Sequence, residues 1–331
     1  MAGRARAADF ATNAWRLTRT ASVSAWRRSS HAYRRVGSWA ATQTVLREAR
    51  VALPFFLLYG LALGGTLALG AELSTARPSR DRPFGWPGPA SFDNGVAMVR
   101  NDLALCAAIP PLLLGLTLVR RLQRDLRSGL FVSAVLTDLA AVALGALLAG
   151  LVGVWGSARA SPDAYWAFVT AHGLLGLSFF ALGLLPTVVA PIVGLLAGGF
   201  LGLAYLTLYD NWVKWRIFRE LGYNGIMSGA FPTWFYLAQV FSPLSTYRGM
   251  LITWRPQFRD WEEQAALREV VLPSWVNPVL FGSVHLFVWV AIPIEAAIIV
   301  WVVRSRRRAS ITRTGPQVDP VGPGREPSFH A

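Results

Sequence analysis

The stretch that decides the fold is Ala164–Tyr209, AYWAFVTAHGLLGLSFFALGLLPTVVAPIVGLLAGGFLGLAYLTLY, which contains no Asp, Glu, Lys or Arg. A helix needs about 20 predominantly apolar residues to cross the hydrocarbon core of a bilayer. The stretch has more than twice that length and therefore predicts two crossings. Pro186 and Pro191 mark the tight connection between the two, because proline interrupts a helix.

Apolar runs elsewhere predict four more crossings. The first, Val51–Ala71, reads VALPFFLLYGLALGGTLALGA and carries no charge. Pro110 and Pro111 predict a kink in the second. We therefore expect an all-α fold, a polytopic membrane helix bundle of about six transmembrane helices. The predicted membrane domain is 51–303, with spans at about 51–71, 102–119, 135–155, 164–185, 192–209 and 279–303 and an outer loop at 210–278.

The composition agrees with a membrane protein. Of 331 residues, 53% are hydrophobic and 15% are charged, against about 25% charged in soluble domains. The net charge is +14, but the basic residues flank apolar runs, so we expect membrane lipid as a partner and not nucleic acid. Cys106 is the only cysteine and the four histidines are far apart in sequence, so we expect no intrachain disulfide, metal site or cofactor.

Both ends of the chain are basic. Residues 1–50 hold ten Arg and two acidic residues, with aromatic residues at near-helical spacing. This pattern predicts an N-terminal interfacial amphipathic helix. A disordered basic arm and a transit peptide are the alternatives. The segment 304–331 begins with RSRRR and becomes rich in Pro and Gly, which predicts a basic, disordered tail.

The charge distribution also predicts the orientation. Four Arg in Arg120–Gly129 follow the second span, and RSRRR follows the sixth. Short flanks rich in Arg lie on the cytoplasmic side. We therefore expect a multi-pass protein of the cell membrane with both termini in the cytoplasm. An aromatic belt is expected near the outer ends, at Trp155, Trp212, Trp215, Trp234 and Trp275.

Four ionisable residues fall within or at the edge of predicted spans: Asp138, His172, His285 and Glu295. Such residues are costly in lipid and usually face a partner or a cavity. For Glu295 two interpretations remain open, namely contact with a substrate or partner across the bundle, and a structural pair with an arginine. Asp138 is expected at a helix interface near the cytoplasmic edge. His172 is expected to pack with a hydroxyl or carbonyl partner.

The sequence signatures of two enzyme classes, ATPases and intramembrane proteases, can be compared with this chain. A phosphate-binding loop ends in Gly-Lys-Ser/Thr, but the only lysine is Lys214 in NWVKWR, so the chain itself is not expected to hydrolyse ATP or to be an enzyme. Glu262, Glu263 and His285, with Phe281 four residues before it, resemble the motifs of CAAX-type intramembrane proteases. However, Arg268 is one residue late for that motif, and a charged surface helix is the alternative interpretation.

Four segments, in order, resemble the permease of an ABC transporter of the type-2 exporter class, and most nearly the permeases of copper-enzyme and nitrous-oxide-reductase maturation. The resemblance covers about residues 40–308. The segments are LREARVALPFFLLYG, IPPLLLGLTLVRRLQRDLRSGLFVSAVLTDLAAVALGALLA, FPTWFYLAQVFSPLSTYRGMLI and HLFVWVAIPIEAAIIVWVVRSRRR. In the third, Pro243, Tyr247 and Arg248 match an outer-loop motif, although Ser242 replaces the usual Asn. In the last helix, Glu295 is unusual for the family.

The resemblance implies a permease subunit that forms a homodimer or pairs with a second permease. A separate ABC ATPase subunit would hydrolyse the ATP. It further implies a translocation path, for which Glu295 and His172 are the candidates, and a segment that couples to the ATPase. The alternative is a non-transporting accessory or scaffold subunit. Leu122, Leu126 and Leu130 recur every four residues and could seat in a groove of the ATPase. The candidate coupling residues are Arg120, Arg121, Leu122, Arg124, Asp125, Leu126, Ser128, Gly129 and Leu130.

Overall fold

The computed structural model describes residues 38–76, 92, 95–96, 99–122, 128–157, 161–228, 232–254 and 278–313. The elements among these residues are all helical, which confirms the all-α prediction. Most of the predicted N-terminal interfacial helix and most of the predicted C-terminal tail lie outside the described residues.

The helices are given in chain order. They are α1 Ser38–Ala76, α2 Arg100–Leu122, α3 Ser128–Trp155, α4 Pro162–Val189, α5 Pro191–Leu203, a π-helical turn Ala204–Tyr209, α6 Asp210–Ser228, α7 Thr233–Val240, α8 Pro243–Trp254 and α9 Pro278–Arg313. The helix α2 continues through Pro110 and Pro111. Within α6, Gly222 has a φ of 62°, a conformation that suits glycine, and it divides that helix.

Six of the described helical stretches are long and apolar enough to cross a membrane: Glu48–Leu73, Asn101–Leu122, Leu130–Trp155, Pro162–Val189, Pro191–Gly222 and Leu280–Arg307. The protein is thus a multi-pass membrane protein, as predicted. Each helical stretch is longer than its predicted span, because helices continue into the polar residues beyond the apolar run. The largest difference is in the fifth, which reaches Gly222 and takes in the start of the predicted outer loop.

The helix α4 is the centre of the bundle. It contacts α2, α3, α5, α8 and α9. Its sequence is apolar on all sides, as expected of a helix that is surrounded by others. The Ser161 side chain accepts a hydrogen bond from the Ala164 N–H and caps the start of α4, with Pro162 in the first turn. The connection to α5 is the single extended residue Ala190, so Pro186 lies inside α4 and Pro191 begins α5.

Two glycines let α2 and α4 approach each other closely. A Cβ on Gly115 of α2 would overlap the carbonyl oxygen of Phe180, and a Cβ on Gly183 of α4 would overlap that of Leu112. Small residues at such crossings are how membrane helices gain close backbone contact, since burial of apolar surface gives little driving force within lipid. The α2–α4 pair therefore depends on both glycines.

We expect Gly115→Ala and Gly183→Ala each to lower the free energy of unfolding by roughly 1–3 kcal/mol, because the added methyl group has no room between the backbones. The matched control is Gly65→Ala, since Gly65 is an exposed α1 residue with open space around its Cβ position. Thermal melting of the purified protein in detergent measures the difference. Equal melting temperatures for the three variants would contradict this account of the crossing.

Candidate functional site: two polar clusters inside the bundle

An ion cluster ties three helices together at one end of the bundle. The Arg121 guanidinium of α2 donates from Nη1 to Glu48 Oε2 of α1 at 3.0 Å, and from Nη2 to Asp138 Oδ2 of α3. The side chains of Glu48 and Asp138 are only 3% and 0% exposed. One arginine thus bridges two buried carboxylates, and the expectation that Asp138 lies at a helix interface is confirmed. The described residues contain no group of three or more His, Cys, Asp or Glu that could hold a metal ion.

A second arginine at the same end of the bundle binds the end of α4. The Arg304 guanidinium of α9 donates to the carbonyl oxygens of Val188 and Val189. The last carbonyls of a helix have no partner within it and carry its negative dipole end, so a cation there is favourable. Nearby, the rings of Phe131 of α3 and Trp301 of α9 stack with centroids 4.5 Å apart. We call this end, defined by Arg121 and Arg304, the arginine end.

The candidate coupling residues are divided between two helices at the arginine end. Arg120 is exposed, whereas Leu122 is 3% exposed and packs in the core of the bundle. Leu122 is thus unavailable to a groove on another protein, contrary to the expectation. Leu130 is half-buried in α3. Ser128 and Gly129 form the first turn of α3, while Arg124, Asp125 and Leu126 lie outside the described residues. The segment is therefore the last turn of α2 and the first turns of α3, with a short connection between.

The helix α8 falls within 210–278, the predicted outer loop, and it packs against the membrane-spanning helices. It contacts both α4 and α9. The Ser242 side chain accepts a hydrogen bond from the Ser245 N–H at 3.1 Å, which caps the start of α8, and Pro243 takes the first position. Tyr247 is only 1% exposed, and Arg248 is half-buried. The Ser-Pro pair is a helix-start signal that the sequence contained.

A buried histidine joins α8 to the centre of the bundle. His172 Nδ1 lies 2.8 Å from the carbonyl oxygen of Phe168, and its Nε2 lies 2.8 Å from the Tyr247 hydroxyl. Because a carbonyl only accepts, Nδ1 carries the proton, and a neutral ring then accepts from Tyr247 at Nε2. The prediction that His172 has a hydroxyl or carbonyl partner is confirmed, because it has one of each: the Phe168 carbonyl and the Tyr247 hydroxyl.

The residue before Tyr247 binds a second histidine. Thr246 Oγ1 of α8 lies 2.7 Å from His285 Nδ1 of α9. Ser178 of α4 donates to the Leu286 carbonyl of α9 at 3.3 Å, so α4 and α9 are also joined directly. His172 lies ten residues into α4, or about 15 Å along the helix. This depth places the contact near the middle of the membrane-spanning part. We call Thr246, Tyr247, His172 and His285 the histidine cluster.

Glu295 lies on the outside of the bundle and is not joined to His172. It is exposed, on the α9 face that also exposes Val288, Ile292 and Ile299. A charged side chain at the bilayer centre costs about 2.5–3.5 kcal/mol on insertion scales. A path inside a single bundle therefore does not contain both candidate residues. For the protease pattern, Glu262, Glu263 and Arg268 lie outside the described residues, and His285 is engaged by Thr246.

No family model matches this sequence, and no curated protein matches it. The case for a function rests on the residues and contacts described above.

Arg121→Gln should lower the free energy of unfolding by about 3–5 kcal/mol, because it leaves two buried carboxylates without their cation. The neighbouring Arg120→Gln is the matched control, since Arg120 is exposed, and should change it by no more than about 0.5 kcal/mol. Adding Glu48→Gln and Asp138→Asn to Arg121→Gln should recover part of the loss. Thermal melting in detergent measures all three, and equal losses for Arg121→Gln and Arg120→Gln would exclude the cluster as a structural tie.

Tyr247→Phe removes the donor to His172 and should cost about 1–3 kcal/mol, because a buried acceptor is left unsatisfied. Its matched control is Tyr205→Phe, where the ring packs on Trp289 and no hydrogen bond of the hydroxyl group is seen among the described residues. Hydrogen exchange of the α8 backbone amides is the measurement. Faster exchange in Tyr247→Phe alone is the expected result, and unchanged protection would show that the hydroxyl does not hold α8 in place.

Proposed function

We propose that this chain is the permease subunit of an ABC transporter of the type-2 exporter class, driven by a separate ATPase subunit. It would lie in the cell membrane with the arginine end in the cytoplasm. The order of the four resembling segments supports this assignment. One observation carries it. Arg121 joins α1, α2 and α3, and it lies within 120–133, the candidate coupling segment.

The reason is mechanical. An ATPase outside the membrane acts on the permease only through exposed residues at the cytoplasmic surface. A push on Arg120 and the connection after Leu122 would reach the end of α2. Because Arg121 ties α2 to Glu48 and Asp138, the ends of α1 and α3 would move with it. Three helices would then respond as one body to ATP binding.

The histidine cluster has a matching role deeper in the bundle, near the middle of the membrane-spanning part. In this proposal α8 is an outer gate that fills the space between α4 and α9 in the resting state. Its hydrogen bonds to His172 and His285 reach one residue on α4 and one on α9, so a shift of α4 against α9 would break them. Transport is then a change of population between a state with α8 seated and a state with α8 withdrawn.

Glu295 fits the same proposal as a residue between two subunits. Permeases of this class would work as a homodimer or as a pair, with the path formed between copies. An exposed carboxyl group in the middle of α9 is costly against lipid and less so against a second bundle or a hydrated path. His172, in contrast, would act within one subunit by holding the gate.

Affinity purification of the full chain from its native membranes in mild detergent tests the proposal. We expect an ATPase subunit to copurify, to be labelled by a photoreactive ATP analogue and to show vanadate-sensitive hydrolysis. Arg120→Glu should lower the recovered ATPase several-fold, because it reverses an exposed charge at the proposed contact. Arg306→Glu, an exposed arginine in α9 at the same end of the bundle, is the matched control.

Two results would contradict the proposal. Recovery of the intact protein with no ATP-binding subunit would favour the accessory or scaffold role. Transport in vesicles that needs no ATP and resists vanadate would exclude the class altogether.

A further inference from the structure

The helix α6 begins where the hydrocarbon of the membrane ends. The helix α5 begins at Pro191, next to the α4 carbonyls that Arg304 binds at the arginine end. Asp210, the first residue of α6, follows Pro191 by 19 residues. At 1.5 Å per residue this is about 28 Å, close to the hydrocarbon thickness of about 30 Å. The continuous helix therefore leaves the lipid core near Asp210, at the end opposite the arginine end.

One face of α6 is covered by protein. Val213 and Ile217 pack against Phe235 of α7. The Tyr209 hydroxyl, one residue before α6, donates to the Ala238 carbonyl of α7 at 2.6 Å. These contacts fix the rotation of α6 about its axis and determine which residues face outward.

The other face exposes aromatic rings at the level of the membrane surface. Trp212 and Trp215 are 48% and 57% exposed, and Phe218 is also exposed. Trp212 and Trp215 lie about 3 and 8 Å beyond Asp210 along the helix. This is the depth of the headgroup region, where tryptophan is enriched because its ring is amphipathic.

Two arginines of the same helix stand beside the rings. The Arg219 guanidinium lies over the Trp215 ring, 5.3 Å from its centroid, and the Arg216 guanidinium lies 5.4 Å from the Trp234 centroid. Both arginines are exposed, and no ion pair of either with a carboxylate is seen among the described residues. Glu220 of the same helix instead accepts a hydrogen bond from Trp234 Nε1 at 3.0 Å. A guanidinium held in this way keeps N–H donors for a phosphate group.

We propose that the face of α6 formed by Trp212, Trp215, Arg216 and Arg219 binds the headgroup phosphate of an anionic phospholipid. The lipid belongs to the leaflet at the end opposite the arginine end. The Trp212 ring lies at the boundary of the hydrocarbon. The Arg219 guanidinium lies over the Trp215 ring, about one turn further out, at the level of the headgroups. This proposal does not depend on the transporter assignment.

A phospholipid accounts for both the exposed rings and the arginines of this face, whereas free phosphate accounts only for the arginines. An ion in solution would gain nothing from exposed indole rings. A lipid satisfies the guanidinium groups with its phosphate and the rings with its glycerol and upper acyl region. The negative charge of the whole headgroup adds to the attraction, by about fivefold in affinity for each arginine near the surface.

The test uses the full chain in two sets of phosphatidylcholine nanodiscs. One set contains a small fraction of photoreactive phosphatidylglycerol, and the other contains the same fraction of photoreactive phosphatidylcholine. After illumination, mass spectrometry measures the labelling of the α6 peptide. We expect the wild-type α6 peptide to be labelled several-fold more by phosphatidylglycerol than by phosphatidylcholine. In Arg216→Gln/Arg219→Gln this ratio should fall to about one, because both cations that favour the anionic headgroup have been removed.

Two controls separate lipid binding from misfolding and from free phosphate. The labelling of the peptide around Arg306, at the arginine end, should be the same in wild type and variant. Arg216→Lys/Arg219→Lys should retain an intermediate preference, because the charge remains without the planar donor pair. Inorganic phosphate in excess should not compete with the lipid label. Equal labelling of wild-type α6 by both lipids, an unchanged ratio in the Gln variant, or displacement by inorganic phosphate would each overturn the proposal.

Discussion

No water is available inside the hydrocarbon, so each polar group there needs a partner within the protein. This constraint determines where the helices of the bundle are joined. Arg121 binds carboxylates from α1 and α3, Arg304 binds the last carbonyls of α4, and His172 binds Tyr247 of α8. Apolar packing between helices is compatible with several arrangements in lipid. The polar contacts select one of them, because each has few alternative partners.

The number and approximate position of the spans could be predicted from the sequence, because both follow from local properties, namely the length of an apolar run and its charged flanks. The ends of the helices could not, since a helix such as the one from Pro191 to Gly222 continues beyond the apolar run through polar residues that stay exposed. The packing of α8 against the bundle could not be predicted for a related reason. Its sequence, PLSTYRGMLITW, contains an arginine and several hydroxyl groups. The partners of Thr246 and Tyr247 include His285 and His172, which lie on other helices far away in sequence.

The candidate sites differ in the same way. A hydroxyl or carbonyl partner for His172 could be predicted because a buried imidazole needs one, but the identity of Tyr247 depends on a contact between residues 75 apart in sequence. The pairing of Asp138 with Arg121, rather than with any other arginine, depends on how the fold places the end of α2 beside α3. For Glu295 the sequence could not show which face of α9 packs against the other helices, and in the structure its side chain is exposed. The spacing of Leu122, Leu126 and Leu130 predicted a surface for a partner, yet Leu122 packs in the core of the bundle and Leu130 is half-buried in α3.

The binding of α4 by Arg304 has a consequence for the order in which the protein is made. A ribosome synthesises α4 well before α9, so when α4 first enters the membrane its last carbonyls have no guanidinium to bind. The same is true of α8, whose contact with His285 requires a helix that is translated after it. Both contacts close only when the last span has been inserted. A chain that stops short of α9 therefore leaves the last carbonyls of α4 without the cation that binds them.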